Sequence, residues 1–192
     1  MKNLEMFCTS MEPNHYEFIK SVGYIPSALG EKDFQKGWLR DNTNINISNK
    51  NKNYAELTFH YWFWKNLLNK CESKWIGFCH YRKFWTNETH KNSEININNL
   101  PPILLKEIPK ELEKYDVILG EPFYVNQSKI MKFLKKGLKT ILEKPSRLFN
   151  SQERTIKFHF DIMHGKNNLE KAIEFLDSEN KKDFYDYVNR KV

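Results

Sequence analysis

The amino-acid sequence predicts an α/β protein with a central, mostly parallel sheet flanked by helices. Three short apolar runs have the length and polar flanks of buried strands: Leu4–Thr9, Trp75–Cys79 and Tyr115–Gly120. Helical patterns lie between these runs and after the last one, and such alternation favours parallel strands joined by helices. The 192 residues contain no internal repeat and no long linker, so we predict a single domain over residues 1–192.

The region before Tyr54 is predicted to hold one strand, one short helix and long loops. Between the first strand and Gly37, several glycines and prolines indicate mostly loop around a short helix. Asp41–Asn53 is rich in Asn and Ser, and this composition indicates a solvated loop.

A long helix is predicted over Tyr54–Leu68. Asn53 is a good N-cap, and Glu56 follows it at the capping-box spacing of three residues. Apolar residues cover nearly the whole circumference of this helix, a pattern typical of a helix buried inside a protein. The run Trp75–Cys79 follows as a buried strand that continues toward His80.

The rest of the chain is predicted to be mostly helical. Thr86–Asn99 is polar and indicates a loop, whereas Leu104–Glu113 indicates a helix despite its proline. Gly165 is expected to separate two of the later helices. Two pairs of residues repeat the capping-box spacing, namely Asn150 with Glu153 and Asn167 with Glu170.

Composition indicates a folded, basic protein. Hydrophobic residues make up 40% of the chain and aromatic residues 15%, although the mean hydropathy is -0.73. The net charge of +7 favours an anionic partner, for which a nucleotide-sugar diphosphate, nucleic acid and an anionic membrane surface are the alternatives. A lysine-rich proteome explains the charge equally well. Known nucleic-acid-binding motifs are missing, so we predict no nucleic-acid partner.

Cysteine content and hydropathy predict the compartment. Cys8, Cys71 and Cys79 are odd in number and lack Cys-x-x-Cys spacing, which opposes both a disulfide framework and a zinc site. No stretch approaches the ~20 apolar residues of a membrane span, and the start carries no secretory signal. We therefore expect a cytoplasmic protein with reduced thiols, whose contact with the inner face of the cell membrane would be peripheral.

Ligands of parallel α/β sheets bind beyond the carboxyl ends of the strands, which directs attention to three places. They are Thr9-Ser10, His80-Tyr81-Arg82 and Glu121. The cluster that ends at Lys83 offers several donors, and an arginine fork suits phosphate oxygens, so positive charge there would hold a diphosphate. An arginine that pairs with a nearby carboxylate is the alternative.

Each of the other candidate residues has a functional and a structural interpretation, and both interpretations stay open. Glu56 and His60 share a helix face and suit sugar contact or acid–base chemistry, but capping and core packing explain them too. Asp41, Asn42 and Thr43 lie in the polar loop, where hydroxyl recognition and turn formation are both reasonable. Four tryptophans are candidates for stacking on a sugar or base, or for core packing: Trp62, Trp64, Trp75 and Trp85.

Familiar catalytic and metal-binding motifs are missing. The dinucleotide, NTPase, metalloprotease and hydrolase signatures do not occur, and neither does Asp-x-Asp, with which many sugar transferases hold a divalent metal. His159, Asp161 and His164 are spaced so that a helix would place them on different faces. We predict no metal ligands, with a divalent cation (Mn²⁺ or Mg²⁺) as the open alternative.

An ordered block of motifs runs from Trp38 to Trp85, about a quarter of the chain. From Asp41 it reads D-x-T-x-x-N-I-S-x-K-N-x-x-Y-x-E-x-T-x-x-Y-W-x-W-K-N, followed by G-x-C-H-Y-R ending at Arg82. This block resembles the bacterial capsular polysaccharide synthesis family that is defined by an uncharacterised domain.

The resemblance implies a GT-A-like fold and a glycosyltransferase that uses a nucleotide-sugar donor, with a UDP-sugar as the first candidate and a glycan or lipid-linked acceptor. It implies catalytic roles for Glu56, His80 and Arg82. The implied donor-binding residues are Thr9, Ser10, Asp41, Asn42, Tyr54, His60 and Lys83. A truncated, non-catalytic module that binds a nucleotide sugar or carbohydrate is the alternative.

Two departures from the family pattern affect these expectations. Lys83 stands where the family usually has a second arginine, which keeps the charge but loses the forked geometry. Family members usually continue beyond the equivalent of Val192, so a fragment, a natural short form and one part of a split enzyme are all open.

An inverting mechanism would need a carboxylate base, for which Glu121 and Asp161 are candidates.

Overall fold

A computed structural model describes residues 3–87, 98–121, 146 and 154–191. The chain divides into two compact units, Met1–Gly120 and Glu121–Val192. The first unit contains a sheet, and the described residues of the second unit contain helices. The prediction of a single domain stays a prediction.

The first unit is built on a four-stranded, all-parallel sheet. Its strands are β1 (Leu4–Ser10), β2 (Ile25–Ala28), β3 (Leu39–Arg40) and β4 (Trp75–His80), in the spatial order β3-β2-β1-β4. The predicted α/β class is confirmed, and the arrangement of parallel strands and flanking helices is Rossmann-like. β1 is central because its backbone pairs with β2 on one side and with β4 on the other.

Each face of the sheet has its own apolar core. Successive side chains of a strand point to opposite faces, so β1 supplies Leu4 and Met6 to one core and Phe7 to the other. Helix α1 (Tyr16–Ser21) covers the first core, while the ring of Phe7 lies 4.8 Å from that of Phe63 in the second. Burial on both faces explains why β1 is almost continuously apolar.

The sequence does not predict β2 and β3. β2 has four residues, one of them Pro26, and β3 has two, so neither carries a period-2 pattern long enough to recognise. β2 forms because β1 supplies a ladder, with Pro26 opposite Cys8. The prediction of mostly loop before Gly37 is therefore wrong for β2, whereas the short helix is confirmed as α1.

The long helix predicted after Asn53 is divided in two. α2 (Asn51–Tyr54) ends at Ala55, and α3 (Leu57–Asn66) begins after Glu56. The predicted capping box is wrong, because Asn53 lies inside α2 and the side chain of Glu56 makes no capping hydrogen bond. The polar loop also ends earlier than predicted, since helical structure begins before Asn53.

Helix α3 is buried on one face only. Phe59, Trp62 and Phe63 face the second core, while Leu57 and Trp64 are each 55% exposed. The prediction that this helix lies wholly inside the protein is wrong. The helix packs on the sheet through a single face, and the apolar residues on the opposite face remain at the surface.

Strand β4 forms where predicted, but it is half-buried rather than buried along its whole length. The strand predicted over Tyr115–Gly120 is wrong, because this segment has no regular structure and no ladder partner among the residues that the structure describes. Only Ile118 packs against the first core, whereas Val117 is 69% exposed and Leu119 82% exposed. An apolar run of strand length is therefore not sufficient for a strand here.

The helix predicted over Leu104–Glu113 is also wrong. Leu104 and Ile108 are buried in the first core, but Leu104 is extended and forms a bridge with Thr86. A single 3-10 turn, Lys110–Leu112, forms near the end of the segment. The apolar spacing matched a helix, yet packing and cross-chain hydrogen bonds hold these residues in an extended chain. Of the loop predicted before this segment, residues 88–97 lie outside the described part of the chain.

Over residues 154–191 the second unit contains three helices, α4 (Ile156–His164), α5 (Asn168–Glu174) and α6 (Ser178–Val188). The hydroxyl of Thr155 caps α4 by accepting a 3.2 Å hydrogen bond from the backbone N of Phe158. The predicted break between α4 and α5 is confirmed at Gly165, whose φ of +94° few other residues adopt.

The capping box predicted for Asn167 and Glu170 is wrong, although α5 does begin at the next residue after Asn167. The side chain of Asn167 makes no capping hydrogen bond, and Glu170 forms an ion pair with Lys157 at 2.5 Å. A cation from a neighbouring helix thus replaces the local backbone as the partner of Glu170. The pair Asn150 and Glu153 lies outside the described residues.

Candidate functional site

The four parallel strands end at one edge of the sheet, at Ser10, Ala28, Arg40 and His80. The chain adds β2 and β3 on one side of β1 and then β4 on the other side, so the order reverses between β1 and β4. Ligands of open α/β sheets bind in the crevice outside the carboxyl ends at such a reversal. The candidate site therefore lies beyond the ends of β1 and β4.

The end of β1 contributes Thr9 and Ser10, both of which are buried. Thr9 Oγ1 donates a 3.1 Å hydrogen bond to the carbonyl of Cys79 on β4, so its hydroxyl joins the two strands. Ser10 Oγ accepts a 2.9 Å bond from the backbone N of Glu12 and lies 2.8 Å from His15 Nδ1. Thr9 thus fixes the end of β1 against β4, and Ser10 positions His15.

His15 is a site residue that the sequence analysis missed. Its ring stacks on that of Tyr81, with 4.5 Å between the ring centres and 29° between the planes. The contact joins the segment after β1 to the segment after β4, residues far apart in the chain. No motif surrounds His15, and its position five residues after the end of a strand was the only available signal.

The predicted cluster at the end of β4 forms a tight turn. The backbone N of His80 donates to the carbonyl of Lys83 at 3.1 Å, and the backbone N of Lys83 donates to the carbonyl of His80 at 2.7 Å. The backbone N of Arg82 donates to His80 Nδ1 at 3.3 Å, which leaves Nε2 to carry the proton of the neutral ring. The side chains of Arg82 and Lys83 are exposed, and the guanidinium lies 5.2 Å from the ring centre of Tyr81.

The electrostatic surroundings of His80 show which groups converge here. Burial lowers the pKa of His80 below its ordinary value, and the positive charges of Arg82 and Lys83 and the neighbouring His15 lower it further. Glu56 is the group that acts in the opposite direction. Arg82 and Lys83 follow His80 in the same turn, and the rings of His15 and His80 both pack on Tyr81. At neutral pH we expect an uncharged His80 ring in a predominantly positive edge.

Glu56 and His60 reach the same region from the start of α3. Burial lowers the pKa of His60, whose ring lies 4.5 Å from that of Phe78, and Glu56 opposes this shift. Glu56 is thus the one acidic group that acts on both His60 and His80. Tyr54 is 47% exposed at the end of α2.

The break at Ala55 sets the direction of Glu56. Ala55 has φ 45° and ψ -129°, a backbone conformation that normally requires glycine. Its carbonyl accepts hydrogen bonds from Asn51 Nδ2 at 2.9 Å and from Thr58 Oγ1 at 3.0 Å. These two side chains hold the strained peptide, and α3 therefore begins with Glu56 turned out of the line of α2.

Asp41 lies in a different environment from the one predicted. Its side chain is 1% exposed, and its Oδ2 accepts a 2.5 Å hydrogen bond from Thr58 Oγ1. Burial raises the pKa of Asp41, while the bond from Thr58 and the charge of Arg40 oppose the rise. The prediction of a solvated loop is wrong for Asp41, which joins the end of β3 to α3, whereas the neighbouring Asn42 is exposed.

The two carboxylates considered as a catalytic base lie in the second unit. Asp161 is buried, and its Oδ2 lies 2.6 Å from Lys157 Nζ. The same lysine pairs with Glu170, and these bonds raise the pKa of Lys157 although burial opposes its charge. Asp161 therefore has a clear structural role between α4 and α5, while Glu121 is exposed at the end of a described segment.

The residues at the carboxyl edge are poorly suited to a divalent cation. Within the described part of the chain, Glu56 is the one acid that acts on His80, and Arg82 and Lys83 lie on the same edge. Among residues 3–87, 98–121 and 154–191, no three His, Cys, Asp or Glu side chains are placed to share a metal ion. Metal dependence stays open to experiment.

A cavity of about 460 Å³ lies at the other end of the strands. It is lined by Leu4 and Met6 of β1, by β4 from Trp75 to Phe78, and by Trp85 and Ile108. Its walls are mainly apolar, and the polar cluster does not reach it. We therefore place the candidate site at the carboxyl edge and not in this cavity.

The helices in the described ranges are all too short or too polar to cross a membrane. Cys8, Cys71 and Cys79 are free thiols, the first of them buried.

Fold and site together define a Rossmann-like α/β protein with a cationic carboxyl edge at the reversal of strand order. A comparison with protein-family models matches residues 11–191 to the family described as a domain of unknown function, DUF4422. The chain belongs to this family, since the match covers most of its length. No curated protein and no solved structure matches this chain.

Proposed function

We propose that this protein is a glycosyltransferase that moves a sugar from a nucleotide-diphosphate donor to a growing capsular or other surface polysaccharide. The observation that carries the proposal is the cluster of His80, Arg82 and Lys83 at the reversal of strand order, with His15 and Glu56 beside it. The motif block of this chain, which resembles the capsular polysaccharide synthesis family, contains Glu56, His80 and Arg82 and implies a GT-A-like arrangement.

The cationic turn suits a diphosphate leaving group. When the donor reacts, the bond between the sugar C1 and the β-phosphate oxygen breaks, and the electron pair stays on the diphosphate. The forked guanidinium of Arg82 and the ammonium of Lys83 would stabilise that growing negative charge. Nε2–H of the neutral His80 would donate a hydrogen bond to the donor, because Nδ1 already accepts one from the backbone of Arg82.

Glu56 is the proposed acceptor of the proton that the attacking sugar hydroxyl loses. As the acceptor hydroxyl oxygen bonds to C1, it loses a proton, and a carboxylate within reach takes it. Glu56 is exposed and is not committed as a helix cap, unlike the role expected for it. Asp161, by contrast, is committed to Lys157. Glu56 is therefore our choice for the base.

The charge of the protein fits the setting that this function requires. A lipid-linked acceptor would be met at the cytoplasmic face of the membrane, where anionic lipids attract basic proteins. With Arg82 and Lys83 supplying positive charge to the diphosphate, we expect donor binding without Mn²⁺ or Mg²⁺.

Calorimetric titration with UDP, GDP and CMP, with and without Mn²⁺, tests the proposal. We expect selective binding of one nucleotide, with UDP as the first candidate, and a loss of about 10- to 100-fold in Arg82→Ala, since charged hydrogen bonds are removed. Arg190→Ala is the matched control, because Arg190 is also exposed and lies 5.9 Å from the ring of Tyr187. Absence of nucleotide binding, or equal affinity in Arg82→Ala and wild type, would contradict the proposal.

Turnover is then measured by sugar release and transfer with the matching nucleotide sugar. Loss of turnover with retained nucleotide affinity in Glu56→Gln is the result expected if Glu56 is the base. Nucleotide binding without any turnover in the wild-type chain would favour the non-catalytic binding module instead.

A further inference from the structure

The outer face of α3 carries a row of apolar side chains, in which Tyr61 is half-buried and the others are exposed. Leu57, Tyr61 and Trp64 follow one another at spacings of four and three residues, so they share one face of the helix. Leu57 and Trp64 are 55% exposed, and Leu68, just beyond the helix, is 40% exposed. Within α3 the row from Leu57 to Trp64 is roughly 10 Å long, at 1.5 Å per residue. We call these four residues the outer stripe.

Such a row requires an explanation because α3 already packs on the sheet through its opposite face. Solitary apolar residues are common on protein surfaces, but contiguous rows mark contact surfaces. Tyr61 and Trp64 also pack together, with ring centres 5.9 Å apart and nearly perpendicular planes. Tyr61 and Trp64 therefore form one aromatic surface within the outer stripe.

Lysine accompanies the outer stripe. Nζ of Lys65 lies 3.4 Å from the centre of the Trp64 ring and 5.8 Å from that of Tyr61. The segment from Lys50 to Lys74 contains five lysines and two glutamates, and of these lysines Lys74 is paired with Glu113 at 2.7 Å. Indole and phenol rings settle at the level of lipid headgroups, while lysine ammonium groups reach the phosphates, so this composition is typical of a helix that lies on a membrane.

We propose that the outer stripe is a docking surface for an anionic phospholipid bilayer, on which α3 lies without crossing it. The charge of Lys65 favours an anionic bilayer over an uncharged protein partner. A neutral apolar partner would bury the Lys65 ammonium without a counter-charge, and a second copy of the chain is the alternative that the experiment below distinguishes. Lipid phosphates supply that counter-charge while the acyl region accepts Leu57 and Trp64.

Vesicle flotation with the full chain tests the proposal. We expect binding to vesicles of phosphatidylcholine mixed with phosphatidylglycerol, much weaker binding to phosphatidylcholine alone, and a decrease at high ionic strength. The double variant Leu57→Ser/Trp64→Ser should lower the partition coefficient at least about tenfold, because two apolar side chains no longer leave water. Lys65→Gln should lower it about fivefold.

Phe175→Ser is the matched control, because it also removes a large exposed apolar side chain, one that is 90% exposed after α5. We expect it to bind vesicles like the wild type. Circular dichroism and thermal unfolding confirm that each variant is folded, which is expected since the substituted side chains lie at the surface. Headgroup-level quenchers in the lipid should quench fluorescence in the wild type and quench it less in Trp64→Phe.

Three results would overturn the proposal. They are absence of binding to anionic vesicles, equal loss of binding in Phe175→Ser and the double variant, and a concentration-dependent dimer that the double variant abolishes. The last result would assign the outer stripe to a second copy of the chain. The nucleotide titration of the transferase proposal is done without lipid, so each proposal fails independently of the other.

Discussion

The hydrogen bond between Thr58 and Asp41 joins two residues that are 17 positions apart and both buried. It connects the end of β3 to α3, and Thr58 also holds the carbonyl of Ala55. The single hydroxyl proton is shared between the carboxyl group of Asp41 at 2.5 Å and the carbonyl of Ala55 at 3.0 Å, with Asp41 as the closer acceptor. Removing that hydroxyl leaves an acceptor in the interior without its partner, which is more costly than the loss of an exposed bond.

We predict that Thr58→Val destabilises the protein by about 1–3 kcal/mol at neutral pH, the range for a buried hydrogen bond to an acidic group. Valine keeps the shape of threonine but loses the hydroxyl, so the pKa of Asp41 should rise further. Urea denaturation measures the free energy of unfolding. Thr58→Ser, which retains the hydroxyl, is the control and should lose less. Equal losses in the two variants would show that the methyl group matters and the bond does not.

Single residues also show how much of the candidate site a sequence motif can predict. His80, Arg82 and Lys83 were predicted as a cationic cluster at a strand end, and the structure places them on one turn at that edge. His15 could not be predicted in the same way, because its importance comes from Tyr81, which lies beside it only in the folded chain. Its place in the candidate site could therefore be found only from the structure.

At the scale of elements, the break between α2 and α3 determines the geometry of the site. Ala55 occupies a backbone region that costs of order 1–3 kcal/mol for a residue with a Cβ atom. Asn51 and Thr58 hold the carbonyl and oppose relaxation into one continuous helix. A continuous helix would turn Glu56 to a different direction.

We predict that Ala55→Gly stabilises the protein by about 1 kcal/mol, because glycine adopts positive φ without steric strain. Thermal unfolding or urea denaturation measures the change. Ala172→Gly inside α5 is the matched control, and the same substitution there should destabilise by about 1 kcal/mol, the usual helix-interior cost. Destabilisation in both variants would mean that Ala55 is not held at positive φ in solution.

Helix α3 illustrates the limit of a hydrophobicity pattern. Its sequence is apolar on every side and predicted full burial, yet Leu57 and Trp64 lie at the surface. The pattern identified the apolar residues of this helix but not the groups that they contact. One face contacts the sheet, and we assign the other to a bilayer.

At the scale of the whole molecule, three partly buried histidines determine how stability depends on pH. Burial is the largest cause that lowers the pKa of His60, His80 and His159 below 6.5. In the unfolded chain these histidines take up a proton at a higher pH than in the folded protein. Stability should therefore be complete above the unfolded pKa and decrease as the pH falls below it.

We predict a lower free energy of unfolding at about pH 5.5 than at about pH 7.5, in the range where unfolded histidines become protonated. Urea denaturation at several pH values measures the slope. The raised pKa of Asp41 acts in the opposite direction, since it favours the protonated carboxyl in the folded state. His60→Gln therefore isolates the histidine effect and should make the slope smaller. A slope that is unchanged in His60→Gln would contradict the assignment to His60.

The sequence by itself determined the features that depend on local patterns. The apolar runs placed β1 and β4, Gly165 placed a helix end, and the polar cluster after β4 was identified as cationic. These features depend on residues within a few positions of one another, because strand length, turn geometry and strand-end position are local properties.

Only the tertiary structure decided the features that depend on distant partners. β2 forms because β1 is beside it, Leu104 is extended because Thr86 pairs with it, and Asp41 is buried because Thr58 reaches it. It also brought His15 to Tyr81 and left one face of α3 at the surface. The physical reason is that burial and hydrogen bonding are satisfied by whichever groups the fold brings near, and sequence distance does not limit them.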